Sequence, residues 1–252
     1  MPHADLSQTF IYPDWPAPKK VRALQTTRTG GLGVAPYNSL NLGRHVGDDA
    51  VTVLRNRMLL APYLPSEPVW LTQTHGINVI DADSASCDPV GDACIAQRPG
   101  AMCVVMTADC LPILLCDDKG SVVGAAHAGW RGLCAGVIEA AVASMAVPAT
   151  TVMAWLGPAI GAASFEVGEE VRAAFVAPHA IGSEQAASAF TPGAAGKWQA
   201  DIYQLARLRL NTLGISRIYG GGFCTYTDPT RFFSYRRDGV TGRMGTFIWI
   251  EQ

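Results

Sequence analysis

Residues 102–132 read Met-Cys-Val-Val-Met-Thr-Ala-Asp-Cys-Leu-Pro-Ile-Leu-Leu-Cys-Asp-Asp-Lys-Gly-Ser-Val-Val-Gly-Ala-Ala-His-Ala-Gly-Trp-Arg-Gly. Residues 102–107 form a β-rich run that breaks at Ala108-Asp-Cys-Leu-Pro112. Residues 113–117 and 122–127 are short apolar runs, too uniformly apolar to show a solvent face, and Asp118-Lys-Gly120 between them suits a hairpin turn. Residues 133–145 then follow a helical pattern, apolar on one face. Strand following strand with a tight turn between them departs from strict βαβ alternation, so the expected fold is α+β: layered mixed or antiparallel sheets flanked by helices.

Working outward, residues 26–47 are Gly-rich and irregular, and 48–64 are helix-like with Asp48 or Asp49 as the cap. Residues 69–75 read as a strand ending at Gly76, and 78–83 as another. Downstream, 152–156 predicts a strand, 168–176 a helix, 178–196 a polar loop, 200–213 a helix, 217–220 a strand and 247–250 a closing strand. No repeat or linker divides the chain, so residues 1–252 are expected to form a single domain.

Hydrophobic residues make up 49% of the chain and charged residues 16%, enough apolar material for a substantial core. The net charge is 19 − 21 = −2, which excludes nucleic-acid binding through a general basic surface. The N-terminus lacks the pattern of a secretory signal, and Gly, Pro or charge interrupts every apolar run short of a membrane span. The seven cysteines include no CxxC pair, so reduced thiols and a cytoplasmic location are expected.

Of five histidines, His3 falls near the terminus and His179 in the polar loop, leaving His45, His75 and His127 in well-punctuated segments. His75, Cys110 and His127 each end or follow a strand beside a backbone-breaking residue. Imidazole and thiolate are good zinc ligands, also suited to other metals, and three protein ligands leave a fourth position open. The spacing matches no compact zinc motif, and Cys110 and His127 read equally as core residues. Asp109 either caps the next turn or orients a ligand histidine. Arg131, between two glycines ahead of a helix, either meets an anion or is a surface charge. Near the C-terminus, Tyr226, Phe232, Phe233 and Tyr235 interleave with Arg231, Arg236, Arg237 and Arg243, a pattern that suits a base plus an anion, or a loop held by pairs such as Arg237–Asp238.

The motifs Ser39-Leu-Asn-Leu-Gly-Arg-His-Val-Gly-Asp48, Thr72-Gln-Thr-His-Gly76, Thr107-Ala-Asp-Cys-Leu-Pro112, His127-Ala-Gly-Trp-Arg-Gly132, Gly157-Pro-Ala-Ile-Gly161, Phe165-Glu-Val-Gly168 and Phe233-Ser-Tyr-Arg-Arg-Asp-Gly239 occur in order along nearly the whole chain. Together they resemble the YfiH-like family, also called the laccase-domain or multicopper polyphenol oxidase family. Gly33 departs from it, standing where a serine is expected. The resemblance implies a zinc site at His75, Cys110 and His127. It also implies phosphorolysis of adenosine, inosine and S-methyl-5′-thioadenosine, with some adenosine deamination. The partners are then purine nucleosides and phosphate, with Arg44 and Arg131 contacting anion or sugar and Tyr235 and Arg236 walling the pocket.

Two other enzyme readings use the same residues. Cys110, activated by His127 or His75, could cleave an amide, a role as a peptidoglycan-precursor amidase. Copper-dependent polyphenol oxidation is disfavoured: five histidines cannot furnish a trinuclear centre, and Met106 is too far from Cys110 along the chain for an axial copper ligand. A non-catalytic zinc protein is disfavoured by the open fourth position.

Overall fold

The structure, a computed structural model, describes residues 6–85, 87–177 and 183–251; His3 and His179 lie outside them. Its strands are β1 (Val21–Gln25), β2 (Val79–Asp81), β3 (Ala93–Ala96), β4 (Met102–Thr107), β5 (Leu111–Asp117), β6 (Val123–Ala128), β7 (Val152–Leu156), β8 (Glu166–Val167), β9 (Phe190–Pro192), β10 (Trp198–Ala200), β11 (Ile218–Gly220) and β12 (Met244–Ile250). Its helices are α1 (Ala50–Met58), α2 (Trp130–Ala135), α3 (Val137–Ser144), α4 (Glu169–Val176), α5 (Ser183–Ala186), α6 (Ile202–Thr212) and α7 (Tyr235–Asp238).

A mixed six-stranded sheet has the order β11-β7-β5-β6-β3-β2, and an antiparallel three-stranded sheet has the order β1-β12-β4. A third, small sheet runs β8-β10-β9. Alternate residues of β5 separate cleanly. Leu111, Ile113 and Leu115 join Ile138, Ala141, Met145, Leu205 and Leu210 of α3, α6 and the turn after α3. Leu114 and Cys116 instead meet Cys103, Val105, Ile248 and Ile250 of the three-stranded sheet. The far face of that sheet, with Val104, Met106 and Phe247, is covered by Leu40, Leu42, Leu60 and Trp70. Both faces of the central strands are therefore buried, which is why their sequences read as uninterrupted apolar runs.

The α+β layered fold matches the sequence reading, and the 118–120 turn joins β5 to β6 as an antiparallel hairpin. Several elements differ. Residues 69–75 do not form a strand; only Val69 and Thr72 make isolated bridges, and His75 sits in the left-handed region at φ 62°. The helix expected over 133–145 begins earlier, at Trp130, and divides at Gly136, whose φ of 108° favours glycine. The helix expected over 48–64 is capped by Asp49, which accepts from Thr52 N, and stops at Met58 ahead of a 3₁₀ turn containing Pro62. The described part of 178–196 carries α5 and β9 rather than an open loop. At Gly33 a Cβ would lie 2.9 Å from the Ser39 carbonyl oxygen, so the serine expected there would need the loop to shift.

Candidate active site

The site sits where the chain changes sheets. Between β4 and β5 it crosses from the three-stranded to the six-stranded sheet through residues 108–110, with Asp109 at φ 89°. That sharp corner places Cys110 at the end of the sandwich. His127, next to last in β6, belongs to the same side of the strand as Val123 and Ala125, which face the neighbouring sheet. The 73–76 turn brings in His75. The ligand atoms of His75, Cys110 and His127 all lie within 4.8 Å of one another. Cys110 Sγ is 3.7 Å from His75 Nε2, and the two imidazoles meet edge to face with centroids 4.7 Å apart. His75 is exposed and His127 buried, so the cluster opens on one side.

The residue that organises this cluster, Asp92, was not singled out from sequence. It is fully buried just ahead of β3, opposite His127 in the ladder that pairs Ala93 with Ala126. His127 N donates to the Asp92 carbonyl at 2.7 Å, and His127 Nδ1 meets Asp92 Oδ1 at 2.8 Å. The same carboxylate accepts from the backbone N–H groups of Thr74 (3.1 Å), His75 (2.9 Å) and Gly76 (2.7 Å) and from the Thr74 hydroxyl (3.1 Å). One carboxylate thus fixes the turn carrying His75 and the ring orientation of His127, leaving His127 Nε2 for the shared centre. Its signal was visible: a lone acid opening an otherwise apolar stretch, Gly91-Asp-Ala-Cys-Ile-Ala96.

The charges follow from this geometry. Burial pushes the Asp92 carboxyl up, but bonds from His127 and the turn N–H groups outweigh it and hold the group at about 2. Burial likewise raises the Cys110 thiol, and is outweighed by the charge of His127 and hydrogen bonds from both histidines, giving about 6. His127 is lowered by burial but raised more by Cys110 and Asp92, to about 9. Free of metal, the site therefore holds a thiolate–imidazolium pair at neutral pH. Metal-free protein should be alkylated by iodoacetamide at Cys110 with a half-maximal rate near pH 6, while Cys116, pushed up to about 12 by burial, stays unmodified. Peptide mapping across pH checks this; a Cys110 midpoint near 9 would contradict the pairing.

Asp109 does not reach a histidine. Its carboxylate accepts from Thr225 Oγ1 (2.6 Å) and Arg236 N (2.7 Å), and its carbonyl accepts from Ile160 N (3.0 Å). It ties the Cys110 corner to the walls of an adjoining pocket of about 130 Å³. That pocket is lined by Cys110, Trp130, Ile160, Phe165, Tyr235 and Arg236 among others. Arg44 is not part of that lining: it pairs with Asp88 at 3.5 Å and lines a separate cleft beside Trp70. Arg131 is exposed and lies over the Trp130 ring, 4.4 Å from its centroid. Phe232 and Phe233 are fully buried core residues, and Arg231 and Arg237 pair with Asp228 and Asp238. His45 lies outside the ligand cluster, near enough for His127 and His75 to depress its imidazole after burial and Arg243.

One sulfur and two imidazole nitrogens converging on a single point suit one borderline-soft divalent ion. Among the described residues no second such group accompanies it, as a multicopper centre would need. Met106 belongs to the opposite face of its sheet, its sulfur 3.9 Å from Arg57 Nη2. No helix among the described residues is long and apolar enough to cross a membrane.

The family model described as multi-copper polyphenol oxidoreductase laccase matches residues 22–251. A purine nucleoside phosphorylase of Pseudomonas aeruginosa is 53% identical over 243 residues, covering 96% of this chain and 98% of that protein. Purine nucleoside phosphorylase YfiH of Escherichia coli is 52% identical, with 96% and 98% covered. The crystal structure of a Neisseria meningitidis protein superposes with a TM-score of 0.92 at 47% identity, over 97% of this chain and 100% of that one. The chain belongs to the multi-copper polyphenol oxidoreductase laccase family of YfiH-like proteins.

Proposed function

We propose that this chain is a zinc-dependent purine nucleoside phosphorylase. Its substrates are adenosine, inosine and S-methyl-5′-thioadenosine, and its products the free base and ribose 1-phosphate or its methylthio analogue. The observation that carries this reading is the pocket walled by Trp130, Ile160 and Phe165 that opens onto Cys110, in a chain aligned end to end with relatives of that name. Flat apolar and aromatic walls suit a purine, and Tyr235 and Arg236 at the same pocket offer a stacking face and a donor. His75, Cys110 and His127 would hold the ion, and Asp92 would keep His127 in the tautomer that leaves Nε2 to it. A cation bound there supplies Lewis acidity toward an oxygen of substrate or water, chemistry common to phosphorolysis and adenosine deamination. Seven unpaired thiols suit a reducing compartment, hence the cytoplasm.

Incubation with adenosine, with and without phosphate, should yield adenine and ribose 1-phosphate only when phosphate is present. His75→Ala, Cys110→Ala and His127→Ala should each lower both bound metal and turnover, the latter by about 100-fold or more if the ion is the main electrostatic stabiliser. Product formation indifferent to phosphate would defeat the reading.

A second reading is favoured by one observation. Cys110 at about 6, His127 at about 9 and Asp92 behind His127 form a nucleophile–base–orienter set suited to cleaving an amide, as in a peptidoglycan-precursor amidase. Activity that survives metal removal and disappears on alkylation of Cys110 would select it. Copper-dependent polyphenol oxidation has the same three donors to work with, and the Met106 sulfur lies against Arg57 rather than beside them.

A further inference from the structure

We propose that Arg243 is the residue that binds the attacking phosphate, an assignment that rests on the phosphorylase reading. The ladder pairs Met244 with Thr107, so Arg243, one step beyond the end of β12, stands opposite Ala108, two residues before Cys110. Cross-strand neighbours of this kind lie about 5 Å apart, which brings the Arg243 backbone beside the corner that carries the sulfur. Asn41, fully buried, fixes this position: its Oδ1 accepts from Arg243 N at 2.9 Å and from Gly43 N at 2.9 Å. The guanidinium carbon is 6.0 Å from the centroid of the Tyr235 ring, a wall of the pocket beside Cys110.

Of the other arginines of this region, Arg44 pairs with Asp88, Arg231 with Asp228 and Arg237 with Asp238. Arg131 is exposed over the Trp130 ring, and Arg236 Nη1 is turned to the Glu166 carbonyl. Arg243 Nη1 donates only to the carbonyls of Thr241 (3.1 Å) and Gly242 (3.0 Å), which orient the fork without cancelling its charge. No carboxylate pairs with Arg243 among the described residues, and both oxygens of nearby Asp109 are already occupied. Two buried hydroxyls at the same corner, Thr107 Oγ1 and Thr241 Oγ1, have no hydrogen-bond partner. Burial lowers the Arg243 guanidinium, and the groups that raise it again are Cys110, Asp109, Tyr235 and Tyr37, the surroundings of the site itself.

A planar guanidinium with free N–H groups matches two oxygens of a phosphate, the geometry that holds a third oxygen toward the anomeric carbon. In the reaction that third oxygen forms the new C1′–O bond as the C1′–N9 bond breaks. The bonding pair leaves with the purine, which takes up the proton that phosphate gives up. Arg243 changes neither charge nor bonding; it lowers the entropic cost of bringing a free dianion to the sugar.

The test is Arg243→Gln and Arg243→Lys in the metal-loaded protein, with Arg22→Gln, an exposed arginine remote in the sequence, as charge control. With adenosine as substrate, Arg243→Gln should raise the phosphate KM by about 10- to 100-fold, the loss expected for charge-assisted hydrogen bonds. The adenosine KM and bound metal should stay near their original values, Arg243→Lys should fall between, and Arg22→Gln should change nothing. A ³¹P NMR titration of inorganic phosphate gives a readout that needs no turnover: line broadening by the native protein should disappear with Arg243→Gln. An unchanged phosphate KM and unchanged broadening in Arg243→Gln, with native turnover still phosphate-dependent, would overturn the assignment alone. If native turnover ignores phosphate, the phosphorylase reading fails, and the ³¹P comparison still decides the anion site.

Discussion

Replacing Gly129 with alanine should abolish the ability of His75, Cys110 and His127 to share an ion while leaving the protein folded. Gly129 has φ −64° and ψ 157°, a conformation any residue adopts, so alanine brings no backbone strain there. A Cβ at this position would lie 2.6 Å from His75 Cδ2, 3.0 Å from Cys110 Sγ and 3.3 Å from His75 Nε2. The nearest atoms are the ends of two ligand side chains, which can swing away. What moves is therefore the donor set rather than the core.

The stability terms nearly cancel. Gly129 is the N-cap of α2, where alanine is poorer than glycine, by about 1 kcal/mol or less. Against this, alanine restricts the unfolded chain and returns roughly 0.4–1 kcal/mol. Compared as metal-free proteins, the two should melt within about 4 °C of each other, since 1 kcal/mol shifts Tm by roughly 2–4 °C at this size. Bound metal should fall to background and turnover by at least about 100-fold, the usual consequence of displacing reacting groups by about 1 Å. Metal analysis and melting curves on the same samples check both halves. Full metal occupancy in Gly129→Ala would show that the three side chains do not share one ion.

Much of this site was legible because its ligands stand beside residues with strong local meaning. His75 precedes Gly76, Cys110 precedes Leu-Pro, and His127 precedes Ala-Gly, so each could be placed at an element's end before the fold was known. The buried hairpin of β5 and β6 was legible for a similar reason: two apolar runs joined by Asp-Lys-Gly have few other arrangements. The sheet change at 108–110 was not legible. Nothing local says that β4 pairs with β12, over 130 residues later, rather than with β5 beside it. Residues 69–75 misled because Val69, Trp70, Thr72 and Thr74 are residue types that favour strands, whereas a buried acid seventeen residues beyond His75 takes the backbone N–H groups of 74–76. The arginines and aromatics of 226–243 failed to sort for the same reason. Only the packing of Phe232 and Phe233 into the core decides that Tyr235, Arg236 and Arg243 turn toward the site.

Asp92→Ala should be the most damaging single substitution in the molecule outside its apolar core. The carboxylate accepts from three backbone N–H groups, one hydroxyl and one imidazole, and it is wholly buried. Its loss strands those donors in a dry interior and leaves His127 with no acceptor at Nδ1. Breaking a buried charged pair in this way costs about 3–5 kcal/mol. Asp92→Asn keeps the shape and one acceptor oxygen but turns an NH₂ group toward the turn's own N–H donors, so it should recover only part of the loss. Metal affinity should fall by about 10- to 100-fold in Asp92→Asn, since the partner that orients a ligand histidine is gone. The pH dependence separates charge from shape. Held at about 2 when folded, against an ordinary value of 3.8, Asp92 contributes stability that is present above pH 4 and lost as pH falls through 2. His127, raised to about 9 partly by Asp92, contributes stability present below its unfolded value of 6.5 and lost as pH rises through 9, while Cys110, lowered to about 6, contributes in the opposite sense over the same range, so the pair offsets itself. Melting temperature followed from pH 2 to 8 on metal-free protein should therefore show the Asp92 contribution as a loss of stability at the acid end. In Asp92→Asn that acid limb becomes shallower because the titrating group is absent. Parallel pH profiles for native and Asp92→Asn proteins would mean that Asp92 acts through shape alone.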